Sequence, residues 1–475
     1  MMRRLFWSVA LCAVVAGPRA HAQAARFPGD SIDRFVSAEM ARQHIPGMSV
    51  AVLIGDSVML ARGYGYANLE LRVTASDSTI YQSGSIGKQF TAALVLMLVE
   101  EGRLRLDDPI VRFLPEGRRR WARVTVRHLL THTSGIPDYT DGVVDLRREY
   151  GEDGLVRLAA SLPPAFPPGE RWSYSNTGYL LLGAIIHRVT GTFYGDLLRD
   201  SIFQPLGMPS ARVISEADLV PNRAAGYRLV DGVVKNQEWV SPSLNTTADG
   251  ALYLSLRDYV RWAVALNHEE RPSRRVLEMA WTPAPLLAGG TYPYGAGWSL
   301  IPQRGHRRIG HTGSWQGFQT SIQRYPEFDL TVVALSNLGG SRPGPISEAV
   351  AGIIVPALAA PHTLPADREP DTLVARAPSL VRAIAAGRGD TSLTTTAFRR
   401  FAVPAWRREL RSEIEPVASW EIVTCDAQAP GTFVYLNDVV ARTCYIRGTG
   451  SEASVLLSMY YSGAGRLAGV ETYDY

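Results

Sequence analysis

The stretch Tyr81–Gly102, YQSGSIGKQFTAALVLMLVEEG, decides how the rest of the chain is read. Ile86, Phe90, Ala93, Leu94, Met97 and Leu98 recur at spacings of three and four, the period of an α-helix. Gly102 closes the pattern, as glycine does at helix ends. Ser85 falls in the first turn, where a serine hydroxyl commonly caps free backbone N–H groups. Lys88 stands one turn later on the same face. Two lysines, Lys88 and Lys235, stand among 49 lysines and arginines, so arginine is written nearly everywhere a cation is needed. A lysine kept beside Ser85 suits a task closed to arginine. Arginine stays protonated in proteins, whereas a buried lysine can lose its proton and act as a base. Ser85 and Lys88 therefore read either as a nucleophile with its base or as the polar start of a buried helix.

At 475 residues the chain has room for two or three domains. A hydrophobic share of 46% and a charged share of 20% are those of a soluble globular protein. The net charge of +4 gives no case for nucleic acid, and no basic run is interleaved with aromatics. At the N-terminus, Arg3 and Arg4 precede the apolar run Leu5–Ala16, and Ala20-His21-Ala22 follows. This is the pattern of a secretory signal over residues 1–22, cleaved after Ala22. The run is too short for a membrane span, and Cys12 lies inside it rather than just after it. The expectation is an exported chain, periplasmic or secreted, with no transmembrane anchor after cleavage. Two cysteines then remain, Cys425 and Cys444. An even pair in an exported protein suggests a disulfide, two unpaired thiols being the other reading.

Residues 30–44 carry the helix period. The segment MSVAVLIGDSVMLARGYGYAN (48–68) reads as two strands around Gly55-Asp56, a hairpin signal. Residues 100–285 read as helices and loops, most clearly at 177–191 and 256–267. Strand patterns return in YPYGAGWSLI (292–301), HRRIGHTG (306–313), GFQTSIQRYP (317–326) and LTVVALSN (330–337), followed by a helix over 346–359. The two ends thus supply an antiparallel sheet with its helices, and the middle a helical subdomain. The fold class is α+β over residues 23–360, with a cleft between sheet and helices as the expected ligand site. Residues 361–371 are rich in proline and charge and read as a linker. Residues 372–475 read as a second, small α+β domain, with strands near 418–425, 432–447, 453–461 and 466–473.

Three short motifs lie downstream of Ser85. Tyr174-Ser175-Asn176 stands directly before a helix, where it reads as a cap or as a hydroxyl and amide aimed at a site. His311-Thr312-Gly313 ends a predicted strand, as a turn or as an edge along which a substrate backbone pairs. In HLLTHTSGIPDY (128–139), His128 and His132 are four apart, but no third ligand stands at metal-site spacing, so packing or capping is the expected role. No motif calls for a cofactor.

In this order, Ser85-x-x-Lys88, Tyr174-x-Asn176 and His311-Thr312-Gly313 resemble the serine β-lactamase and penicillin-binding protein superfamily. Within it the chain is most similar to the branch of class C β-lactamases, D,D-carboxypeptidases and esterases. HLLTHTSGIPDY, PPGERWSYSNTGYLLLG and ADGALYLSLRDYVRW match connecting signatures of that branch, and the resemblance covers about residues 30–360. It implies a β-lactamase/transpeptidase-like fold and an acyl-enzyme on Ser85. It implies Lys88 or Tyr174 as the base, Asn176 as an orienting group, and an oxyanion hole from the backbone N–H groups of Ser85 and Ser314. The family's third motif most often begins with lysine; here it begins with His311. A histidine is mostly neutral at pH 7. That departure ranks a peptidase (D,D-peptidase or D-aminopeptidase) or an esterase above a β-lactamase. A catalytically dead protein binding peptidoglycan or a partner is disfavoured, since serine, lysine and tyrosine are all present. The implied substrate is a small peptide, an ester or a peptidoglycan fragment.

Overall fold

The segment Gly47–Ile54 buries seven of its eight residues. Such a strand must be covered on both faces, and its side chains divide accordingly. Met48, Val50 and Val52 join the core made by Ile32 and Val36 of the helix Gly29–Arg42 and Ile346 and Val350 of the helix Pro343–Ile354. Ala51 and Leu53 join the larger core on the other face, with Phe90, Leu94 and Trp262. The strand pairs with Leu330–Ser336 on one side and Ser57–Asn68 on the other, in register Val50 with Ala334 and Arg62. The complete sheet runs Ile309–Trp315, Phe318–Tyr325, Leu330–Ser336, Gly47–Ile54, Ser57–Asn68, Val73–Thr74, antiparallel throughout.

The computed structural model describes residues 27–287, 289–359, 375–402, 404–428, 434–436, 438–450 and 454–474. The secretory signal expected over 1–22 and the linker expected over 361–371 lie outside them. Among the described residues no helix is long and apolar enough to cross a membrane.

The chain is an α+β protein with antiparallel sheets flanked by helices. Its middle third is mainly helical, notably Glu152–Ser161, Asn176–Thr190 and Leu256–His268. It also holds the hairpin Tyr227–Val230 with Val233–Asn236, and its strands Leu252–Ser255 and Arg212–Val213 form a three-stranded sheet with Ile80–Gln82. These strands of two to four residues are too short for alternation to register in sequence. The stretch expected as a strand over 292–301 is instead an irregular strap: only Thr291–Tyr292 is strand, and Gly297 turns the backbone at φ +77°. The last helix of this unit stops at Ile354, because Pro356 biases the preceding residue out of the helical region.

Residues 377–474 form the helices Ala377–Ala385, Thr396–Phe401 and Pro404–Ile414, followed by an antiparallel meander. Its strands Val417–Ala427, Asp438–Gly450, Ser454–Ser462 and Leu467–Asp474 lie side by side in that order. Cys425 and Cys444 face each other across the first two and are joined by a disulfide.

Candidate active site

Ser85 lies on a single 3₁₀ turn, Gly84–Gly87, and the α-helix proper begins at Lys88. The helix runs to Glu100 and is buried on every side from Lys88 to Leu96, so its polar residues Lys88, Gln89 and Thr91 turn to internal partners. The turn is pressed against the edge strand Ile309–Trp315. A Cβ on Gly84, whose φ is +52°, would sit 2.4 Å from the Ser314 nitrogen. One on Gly313 would sit 2.9 Å from the Ser85 nitrogen. Glycine at both positions is what brings the Ser85 and Ser314 N–H groups to one place. They border a cavity of about 170 Å³ lined by Ser85, Asn176, Tyr139, Asp249, Leu244 and Trp315.

Lys88 is fully buried. Its Nζ donates to the Ser85 hydroxyl at 3.1 Å, to Asn176 Oδ1 at 2.7 Å and to the Asp249 carbonyl at 2.6 Å. Asn176 is the first residue of its helix, and its amide has one possible sense. Asp138 Oδ2 accepts from the Asn176 backbone N–H at 2.7 Å and from Nδ2 at 3.0 Å, so Oδ1 must face Lys88. Asp138 is held in turn by the N–H and hydroxyl of Thr140, both at 2.8 Å. Burial lowers the Lys88 pKa to about 8, against the opposing pull of the Asp249 and Asp138 carboxylates.

Tyr174 is positioned from both sides by His132. Ser173 N–H donates to the His132 carbonyl at 2.9 Å, and Ser175 N–H to His132 Nδ1 at 3.1 Å. The tyrosine ring lies 4.2 Å from the imidazole and 4.9 Å from Lys88 Nζ. Its hydroxyl is buried and completes no hydrogen bond; the Ser85 hydroxyl is the group that bears on it. Burial pushes its pKa well above the ordinary phenol value.

His311 is tied into a chain of fixed tautomers, which the hydrogen-bond partners assign. His132 Nδ1 accepts from Ser175, so its proton is on Nε2 and is donated to the Tyr294 hydroxyl at 3.1 Å. Tyr294 then donates to His311 Nε2 at 2.9 Å. The remaining His311 proton, on Nδ1, goes to the Thr312 carbonyl at 2.5 Å. Burial, aided by Lys88, lowers the His311 pKa to about 4, against the bond to Thr312. His311 is therefore a neutral ring whose two nitrogens are both engaged within the protein. Thr312 is exposed on the edge strand beside it, and Gly313 is buried against the Ser85 turn.

A family profile described as Beta-lactamase matches residues 32–353. The chain belongs to the β-lactamase family. It is 32% identical over 330 residues to a penicillin-binding protein of Bacillus subtilis strain 168, covering 63% of this chain and 69% of that one. It is 28% identical over 316 residues to the protein flp of Staphylococcus aureus strain MW2, covering 65% of this chain and 62% of that one, under two thirds of its length. Among solved structures, the octameric penicillin-binding protein homologue from Pyrococcus abyssi superposes with a TM-score of 0.62 at 26% identity, over 94% of this chain and 96% of that one. The D-amino acid amidase from Ochrobactrum anthropi SV3 superposes with a TM-score of 0.59 at 27% identity, over 70% and 97%. The fold is that of the family's serine hydrolases.

The structure brings Ser85, Lys88, Tyr174, Asn176 and the His311-Thr312-Gly313 strand to one place. The two histidines four apart are used for capping and packing. His128 caps its own short helix, its Nδ1 accepting from Thr125 N–H at 3.1 Å, while His132 lies past the helix end at φ +57°. Among the described residues no group of three His, Cys, Asp or Glu could hold a metal ion. Reading the sequence missed Asp138, Asp249 and Tyr294. Asp249 had a signal: it is the one acid in the run Thr246–Leu254.

Proposed function

We propose that this chain is an exported serine hydrolase of amides or esters, acylated on Ser85 with Lys88 as the base. The observation that carries the reading is the donor set around Lys88 Nζ. With three N–H groups it serves three acceptors. When it loses one proton, the Asp249 carbonyl cannot donate to it, and Asn176 Oδ1 cannot either, because Asp138 fixes the amide's sense. The Ser85 hydroxyl alone can reverse its bond, so the lone pair of the neutral amine points at the serine proton. Tyr174 stays a neutral phenol and is suited to pass a proton to the leaving group rather than to start the reaction as a tyrosinate. The N–H groups of Ser85 and Ser314 would hold the developing oxyanion.

The sign of the pH dependence follows. The active form of Lys88 is the unprotonated one, so kcat/KM should rise with pH and level off above about 8. A rate profile across the neutral to mildly alkaline range checks this, and a flat profile contradicts Lys88 as the titrating base.

The charges favour one part of the substrate range. The residues lining the cavity include one acid, Asp249, and no arginine or lysine. Asp249 Oδ2 accepts from the Tyr139 hydroxyl at 2.9 Å. Burial pushes the pKa of this carboxyl up, while Lys88 pulls it down. His311 is neutral and supplies no cation for a substrate carboxylate. This supports amides and esters, with a free amine near Asp249, ahead of peptides ending in a carboxylate. The likeness to a D-amino acid amidase supports the same class. The test is a panel: D- and L-alanine p-nitroanilide, their N-acetyl forms, p-nitrophenyl acetate, a D-Ala-D-Ala peptide and nitrocefin. The free amines should exceed their N-acetyl forms roughly tenfold or more in kcat/KM, the size of one well-placed charge contact. Fastest turnover of the D-Ala-D-Ala peptide or of nitrocefin would overturn this substrate class. Export is supported by the signal pattern over residues 1–22 and by the Cys425–Cys444 disulfide.

A further inference from the structure

We propose that the C-terminal domain, residues 377–474, is a clamp on the catalytic wall, with Tyr292 and Glu471 as positioning residues that hold Tyr174 and His311 in place. The strap between Ala284 and Tyr294 belongs to the β-lactamase-family unit, yet Ala284, Tyr292 and Tyr294 are buried in the core of the C-terminal domain. The Tyr292 hydroxyl donates to Glu471 Oε1 at 2.6 Å, and Glu471 Oε2 accepts from Tyr460 at 3.2 Å. Leu436 N–H donates to the Thr291 carbonyl at 3.1 Å. The domain thus grips the strap by side chain and by backbone.

On its other side the strap grips the segment that carries Tyr174. The Tyr292 ring stacks on Trp172 at 4.3 Å with 9° between the planes, and Phe401 of the C-terminal domain stacks at 6.4 Å. Leu287 N–H donates to the Gly169 carbonyl at 2.8 Å, at the start of the same segment. Two residues beyond Tyr292, the Tyr294 hydroxyl holds both His132 and His311. A line of direct contacts therefore runs from Glu471 through Tyr292 to Trp172, two residues from Tyr174, and along the backbone to Tyr294. None of these residues touches Ser85, so their effect passes through Tyr174 and His311. Placement of such groups matters, because a misplacement near 1 Å, even from a change far from the chemistry, can cost up to about 10²-fold in rate.

The test uses the full chain with p-nitrophenyl acetate, comparing Glu471→Ala, Glu471→Gln and Tyr292→Phe with the parent. Hydrogen–deuterium exchange is followed over residues 172–176. Glu471→Ala should lower kcat about three- to tenfold with KM changed less than about twofold, and should speed exchange over 172–176. Glu471→Gln should restore most of the loss, because an amide oxygen still accepts from Tyr292. Should Glu471→Ala unfold the domain, Tyr292→Phe, which removes one hydroxyl and keeps the stacked ring, carries the same expectation. Unchanged kcat together with unchanged exchange in folded variants overturns the clamp. The activity arm rests on the proposed acyl-enzyme reading, and the exchange arm does not. If Ser85 is never acylated, that reading fails while exchange still decides the clamp.

Discussion

Lys88→Arg is expected to lower kcat/KM by about 10²- to 10⁴-fold, the range over which a positioned general base contributes. Arginine keeps the positive charge and can still donate to Asn176 Oδ1 and the Asp249 carbonyl. It cannot give up its proton, so no lone pair is ever presented to the Ser85 hydroxyl. The variant should also lose the alkaline rise in rate, because the group that titrates near 8 is gone. Rates on p-nitrophenyl acetate across the same pH range measure both effects. Retention of turnover within tenfold would show that charge, not base chemistry, is what Lys88 supplies.

Ser85→Ala should cost more, roughly 10⁶-fold in kcat, since removing a nucleophile leaves only what the oxyanion site and binding provide. The two substitutions should not add. Without Ser85 there is no proton for Lys88 to take, so the double variant should be about as slow as Ser85→Ala alone. The serine sits on a turn rather than in a packed core, and its hydroxyl accepts one bond from Lys88. Loss of stability is therefore expected to be small, and thermal unfolding separates it from loss of chemistry. A double variant far slower than either parent would show that serine and lysine act in separate steps.

The centre of the main sheet was legible because two of its strands are long and consistently apolar: Gly47–Ile54 and Leu330–Ser336 bury nearly every residue, alternate ones on opposite faces. Ser85 and Lys88 were legible because their partnership is local, one turn apart. The partners of Lys88 were not. The Asp249 carbonyl is 161 residues away, and Asp138 reaches Asn176 across 38. Such contacts are set by how the elements pack, and no periodicity encodes them. The partners of His311 were hidden for the same reason. Its neutrality could be argued from residue type, but the engagement of both its nitrogens required Tyr294 and His132, which come from the strap and from a loop. The strap read as a strand because Tyr292, Tyr294, Ala296 and Trp298 alternate, yet Tyr292 and Tyr294 are buried with the C-terminal domain and Ala296 and Trp298 in the main core.

The most direct test of the central claim is mass spectrometry of the protein quenched during turnover of a slow ester or amide, with peptide mapping of the adduct. One added acyl group is expected, on the peptide containing Ser85, and none on Ser85→Ala. An adduct on any other residue, or the same adduct on Ser85→Ala, contradicts the claim.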